Sequence, residues 1–218
     1  MFSHNFSSLT PATRKAIYLI CLAVGVVGVS YGSLATAYGF PLWVPLFSSL
    51  FVLAGASEFM FIAIIASGGN PLAAAGLLVN ARHFPFGIAV RDLVGSRLSA
   101  LLGCHIMNDE SVVFGLSQST PQQRKAAFWL CGLGVAIVWP LGALIGSLIG
   151  TLLPDTSVIG LDAVFPAILL ALVIPAFKSR TTLTRASCSA ALSLLAVPFT
   201  PVGLPVLLSM AGLLARRK

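Results

Sequence analysis

The chain has 218 residues, 57% hydrophobic and only 9% charged, where an ordinary soluble protein carries about 25% charged residues. That composition excludes a soluble domain and implies an all-α, polytopic integral membrane protein. The net charge of +7 is no sign of nucleic-acid binding, because the basic residues stand between apolar segments, as they do where Lys and Arg orient helices toward the cytoplasm.

Residues 1–15 read as a cytoplasmic N-terminal tail and residues 16–218 as one transmembrane domain. From Ala16 to Ser57 no Asp, Glu, Lys or Arg occurs. A crossing needs about 20 apolar residues, so this stretch holds one span and most of another. Segment one runs from about Ala16 to Tyr38, with Gly28 and Gly32 in GxxxG spacing and Tyr31 as a candidate pocket residue. Ala35-Thr36-Ala37 resembles a signal-peptide cleavage site, but the apolar run before it is longer than the usual 7–15 residues. An uncleaved first helix is expected.

Segment two runs from about Leu42 to Ala66 and contains Glu58. A turn follows at Ser67-Gly68-Gly69-Asn70-Pro71. Segment three, Leu72 to Val90, is interrupted by Asn80-Ala81-Arg82-His83-Phe84-Pro85-Phe86-Gly87, where Pro85 disfavours continuous helix. If it enters and returns, every basic cluster stays on one side, so a broken or re-entrant segment is expected near Arg82–Pro85. Residues 91–125 are the most polar part. Segment four, Ala126 to Leu153, carries Gly142, Gly146 and Gly150 on a face that permits close helix contact. Segment five, Leu161 to Phe177, is bracketed by Asp162, Pro166 and Pro175. The tail, Ala186 to Ala215, has Pro198, Pro201 and Pro205 in its middle and fits two short crossings. The total is six to eight transmembrane helices, continuous apolar runs that exclude a β-barrel's alternation.

Ionisable groups at membrane depth are costly and mark pathways. Glu58, within Ala54-Gly55-Ala56-Ser57-Glu58-Phe59, either exchanges a proton, faces a substrate ammonium with Ser57, or pairs structurally with Arg82. Arg82 and His83 either serve a solute at an unwound helix or end a helix at the interface. Asp109 and Glu110, in Asn108-Asp109-Glu110-Ser111, form either an acidic loop or helix start, or a cavity lining. Asp162 is a candidate helix anchor. Cys21, Cys104, Cys131 and Cys188 are scattered, so packing is expected and no metal site or redox pair. No HExxH, GxSxG, P-loop or dinucleotide turn occurs, so neither an enzyme nor a cofactor is expected.

Those motifs resemble the AzlC family, the large subunit of bacterial branched-chain amino-acid exporters. The matching pieces are Tyr31-Gly32, Ala54 to Phe59, Asn80 to Gly87, Asn108 to Ser111, and Gly160-Leu161-Asp162-Ala163-Val164-Phe165-Pro166-Ala167. Two departures stand out. The family often has Gln at the position of Glu58, and Phe84-Pro85-Phe86 replaces the usual Leu and Tyr residues.

The resemblance implies an inner-membrane exporter of valine, leucine and isoleucine, sometimes methionine. It also implies proton coupling and a small AzlD-type membrane subunit as partner; the basic residues Arg14-Lys15 and Arg216 to Lys218 give the separate expectation that both termini are cytoplasmic. A zwitterionic substrate of this kind needs a cation, an ammonium acceptor and an apolar pocket. Arg82 or the backbone near it, then Glu58 with Ser57, then Phe59, Phe84 and Phe86 are the expected suppliers.

Overall fold

A computed structural model describes residues 6–66, 68, 80, 83–152, 170, 174–200, 204–209 and 211–212. The protein is all-helical. Among the described residues, three helices are long and apolar enough to cross a membrane: Pro11–Ala37, Pro121–Leu152 and Arg180–Phe199. The chain divides into two compact units, Met1–Gly55 with Asn80–Asp162, and Ala56–Val79 with Ala163–Lys218.

The first unit is built on α1 (Pro11–Ala37) and α7 (Pro121–Leu152). Helix α1 starts where Thr10 accepts the Thr13 N–H at 3.1 Å, with Pro11 at the first helical position. Proline is at home there, since that N–H has no intrahelical acceptor. The two long helices run parallel. Cys21 lies beside Cys131, Gly25 beside Val138, Gly28 beside Gly142 and Thr36 beside Gly150.

Glycine makes this approach possible. A Cβ on Gly28 would stand 2.8 Å from the Trp139 carbonyl, and one on Gly32 or Gly146 would press into the backbone of the facing helix. The bared carbonyls then receive hydroxyls from across the interface. Ser33 donates to the Gly146 carbonyl at 2.8 Å, and Ser147 donates to the Gly32 carbonyl at 3.3 Å. Packing of small residues with interhelical hydrogen bonds is what holds helices together where lipid removes the hydrophobic driving force.

Segment two is not one helix. It forms α2 (Trp43–Phe51) and α3 (Gly55–Ala66), separated at Val52, Leu53 and Ala54. This corrects the expectation of a continuous span from Leu42 to Ala66. After α3, the described chain resumes with α4 (His83–Ala89). Pro85 lies in the first turn of α4, where its missing N–H costs no helical bond. Ala81 and Arg82 of the expected interruption, and residues 71–79 ahead of it, lie outside the described residues, as does Asp162.

Two short helices follow, α5 (Leu98–His105) and α6 (Asp109–Leu116), and α6 packs on α7. The α5–α6 turn meets α7 at Gly132, where a Cβ would stand 2.8 Å from the Ile106 carbonyl. Gly132 is about 10 Å along the helix from Lys125. Val90, Leu93, Val94, Ile106, Met107, Val112, Phe128 and Trp129 form one core. The Trp129 indole donates to the Leu93 carbonyl at 2.9 Å, satisfying its one polar group.

The second unit holds α3 beyond Gly55, a 3-10 turn at Ile174–Lys178, α8 (Arg180–Ala196) and α9 (Leu204–Ser209). Ser179 caps α8 by accepting the Thr182 N–H at 3.4 Å. Helix α8 stops at Ala196 and passes into a 3-10 turn through Pro198, and the chain folds back so that Gly212 packs against Ser189. The expected interruption of the tail at its prolines is therefore present.

Candidate functional site

A break in an apolar helix must satisfy the backbone groups it releases from within the protein. At the α2–α3 break, the Ser48 carbonyl takes two of them, the amides of Val52 at 2.8 Å and Leu53 at 3.2 Å. Leu53 itself is buried with φ at 49°. Residues other than glycine avoid that region at a cost of roughly 1–3 kcal/mol, so the surrounding structure must hold the break in place.

The holding contacts come from α1 and α7. The Ser48 hydroxyl donates to the Pro45 carbonyl at 3.2 Å and lies 2.6 Å from the Tyr31 hydroxyl. The fully buried Tyr31 ring stacks on Trp139, with centroids 5.6 Å apart and planes at 18°. Trp139 in turn covers Gly55, where a Cβ would come within 2.9 Å of the indole. Tyr31 thus fixes one lip of the break through Ser48, and Trp139 fixes the other through Gly55.

Beyond Gly55 the first turn of α3 continues with Ala56, Ser57 and Glu58. Ser57 and Phe59 are buried, and Glu58 is only 2% exposed. A carboxylate in the first turn of a helix is favoured by the positive end of its dipole. The sequence around Glu58 supplies small residues, Ala54 to Ser57, that let other backbone close in.

The remaining candidates are placed elsewhere. His83 is half-buried at the start of α4, with Nδ1 3.1 Å from the Asn80 carbonyl and its ring edge-on to Phe86. Phe86 packs against the core of the first unit, whereas Phe84 is 77% exposed. Asp109 and Glu110 open α6. Asn108 accepts the Ser111 N–H at 2.8 Å, and Ser111 accepts the Asn108 N–H at 2.9 Å, a reciprocal cap.

Of the two readings of the acidic pair, helix start is the one realised. The α5–α6 turn meets α7 at Gly132, seven residues before Trp139, so about 10 Å of helix axis separates it from the Tyr31–Trp139 stack. Cys21 and Cys131 are buried, the Cys21 thiol lying 4.0 Å from the Cys131 carbonyl.

Sequence reasoning missed Ser48, Leu53 and Trp139. A usable signal existed for the first and last. Two adjacent serines in an apolar run invite a polar partner, and a glycine six residues on invites a large neighbour. Nothing in the sequence marks Leu53.

Comparison with known proteins agrees with this picture of a membrane protein. The sequence model of the family described as AzlC protein matches residues 19–153. The "Branched-chain amino acid transport protein AzlC" of Bacillus subtilis (strain 168) is 27% identical over 220 residues, covering 95% of this chain and 86% of that one. An "Uncharacterized membrane protein" of Helicobacter pylori (strain ATCC 700392 / 26695) is 30% identical over 172 residues, 75% of this chain and 73% of its own. Another of that description, from Haemophilus influenzae, is 26% identical over 161 residues, 70% of this chain and 66% of its own. No solved structure matches the chain.

Proposed function

The chain belongs to the AzlC family, a family of membrane transport proteins, and from that premise we propose that it exports branched-chain amino acids. Valine, leucine and isoleucine are its substrates, with methionine the unbranched side chain of matching size. The relative in Bacillus subtilis carries branched-chain amino acid transport in its name. The observation that carries the reading is the interruption at Val52–Ala54, immediately ahead of buried Ser57 and Glu58. Broken helices at membrane depth present backbone amides and a helix dipole to a solute.

In this mechanism the first turn of α3 receives the zwitterion. Its amides, at the positive end of the helix, draw the carboxylate. Ser57 and Glu58 accept hydrogen bonds from the ammonium, and Phe59 contributes an apolar wall. Arg82 and His83 belong to the same reading as a second contact for the carboxylate and a proton relay. Asp109 and Glu110 serve a proton path from the α6 cap. Release is driven by the proton gradient, with Glu58 as the group that exchanges the proton.

The shared direction of α1 and α7 supports the orientation. Gln123 donates to the Ser8 carbonyl at 3.2 Å, so Arg14, Lys15, Arg124 and Lys125 gather at one end of the first unit. Clustered cations mark the cytoplasmic side, which puts the N-terminus there, and the C-terminal Arg216 to Lys218 follow the same rule. The protein then sits in the bacterial inner membrane and works with a small AzlD-type subunit.

The test is efflux of labelled valine from cells loaded with a valine dipeptide, with both subunits present and with or without a protonophore. Export that collapses with the protonophore and is lost in both E58Q and R82A supports the reading. Undiminished export in both variants overturns this site, and no valine efflux at all overturns the substrate.

A further inference from the structure

Pro11, Arg14, Lys15, Tyr18, Leu19 and Leu22 line an open groove of about 420 Å³ along the outer side of α1. Its two ends differ in chemistry. Arg14 and Lys15 stand at the start of the helix, while Leu19 and Leu22 lie one and two turns further on, with Leu22 66% exposed. Tyr18 separates the cationic end from the apolar end, the position where an amphipathic ring meets the headgroup level.

The charge at the groove is uncompensated along its helix and the helix beside it. Neither Pro11–Ala37 nor Pro121–Leu152 contains an Asp or Glu, and both place their cations at the same end. From Tyr18 at headgroup level to Leu22 the helix rises about 6 Å, so the apolar end of the groove reaches into the upper part of one leaflet's hydrocarbon, about 15 Å deep.

We propose that this groove is a binding site for an anionic glycerophospholipid. The lipid phosphate lies between Arg14 and Lys15, where charge-assisted hydrogen bonds from guanidinium and ammonium favour it. One acyl chain follows Leu19 and Leu22. The occupant is a lipid rather than a protein helix because a single helix lines the groove and its polar groups are confined to headgroup height. Cations in that position recognise anionic leaflets.

The experiment is native mass spectrometry of the full chain released from nanodiscs of phosphatidylcholine doped with phosphatidylglycerol. Wild type is expected to retain phosphatidylglycerol over phosphatidylcholine by about tenfold. R14Q/K15Q is expected to bring the two to parity, and R14K/K15R to keep the preference. Removing cations can disturb insertion, so L19W is the second variant. It keeps both charges and fills the groove, and it too is expected to lose the retained lipid, while added inorganic phosphate displaces none.

Equal retention of both lipids by wild type overturns the proposal. So does a preference that survives L19W, or a small membrane subunit that seals the groove against lipid. Valine efflux is not the readout, so a failure here leaves the transport proposal standing, and the reverse also holds.

Discussion

The hydroxyls of Tyr31 and Ser48 lie 2.6 Å apart, and the Ser48 carbonyl takes the amides of both Val52 and Leu53. One side chain of α1 therefore reaches the backbone of the helix break through a single serine. Y31F keeps the ring on Trp139 and removes the hydroxyl that lies against Ser48. It is expected to lower thermal stability in detergent by about 1 kcal/mol and to reduce valine efflux more than that loss alone accounts for. Fluorescence-detected unfolding beside an efflux assay checks both, and wild-type efflux in a stably expressed Y31F would separate the break from transport.

Leu53 sets up an ordering. At φ 49° a β-branched residue is more strained than leucine, and glycine is not strained at all. L53V is expected to lose about 2 kcal/mol, while L53G exchanges strain for lost packing and stays closer to wild type. Unfolding midpoints of the two variants test the order, and a reversed order would mean that side-chain packing rather than backbone geometry dominates there.

The α1–α7 seam makes a paired prediction. G146A drives a methyl into the Val29 carbonyl, whereas a Cβ on Gly25 meets its nearest neighbour, Val138, at 3.6 Å. G146A is expected to cost roughly 1–3 kcal/mol and G25A close to nothing, read as the fraction of protein surviving heating in detergent.

At the α5–α6 tip, N108A removes the acceptor of the Ser111 amide. The expected loss is about 1 kcal/mol, with N108D and N108S restoring most of it because both are good caps. Failure of rescue would show that Asn108 matters for something other than starting α6.

E58Q keeps the shape of a side chain that is 2% exposed and removes its ability to hold a proton. The expected outcome is normal folding with loss of the protonophore-sensitive valine efflux seen in the wild type. Efflux that remains protonophore-sensitive in E58Q would assign proton coupling to another group.

Membrane class and the places of α1 and α7 were legible, because charge and length are local signals, though each helix begins five residues earlier than expected, and at Asn108 a helix start was one of two open readings. The break at Val52–Ala54 was not legible. Hydropathy runs unbroken from Leu42 to Ala66, and the flanks of the break at Leu53, Ser48 and Gly55, are held by Tyr31 and Trp139 from distant parts of the chain. Glycines 28, 32, 142 and 146 signalled close packing, yet spacing names neither the partner helix nor its direction. Phe84 shows a related point: an aromatic residue near Arg82 reads as pocket lining, while its 77% exposure depends on neighbours that spacing does not name.

Ser33 and its acceptor Gly146 are 113 residues apart in the chain. At about 5–20 residues per second of synthesis, α1 waits roughly 6–23 s in the bilayer before the helix that accepts the Ser33 hydroxyl has been made. During that interval Ser33 and the bared glycine face of α1 meet lipid or a helper protein. Substitutions along this seam should therefore reduce yield by exposing newborn chains to proteolysis, before any weakness of the finished molecule has a chance to appear.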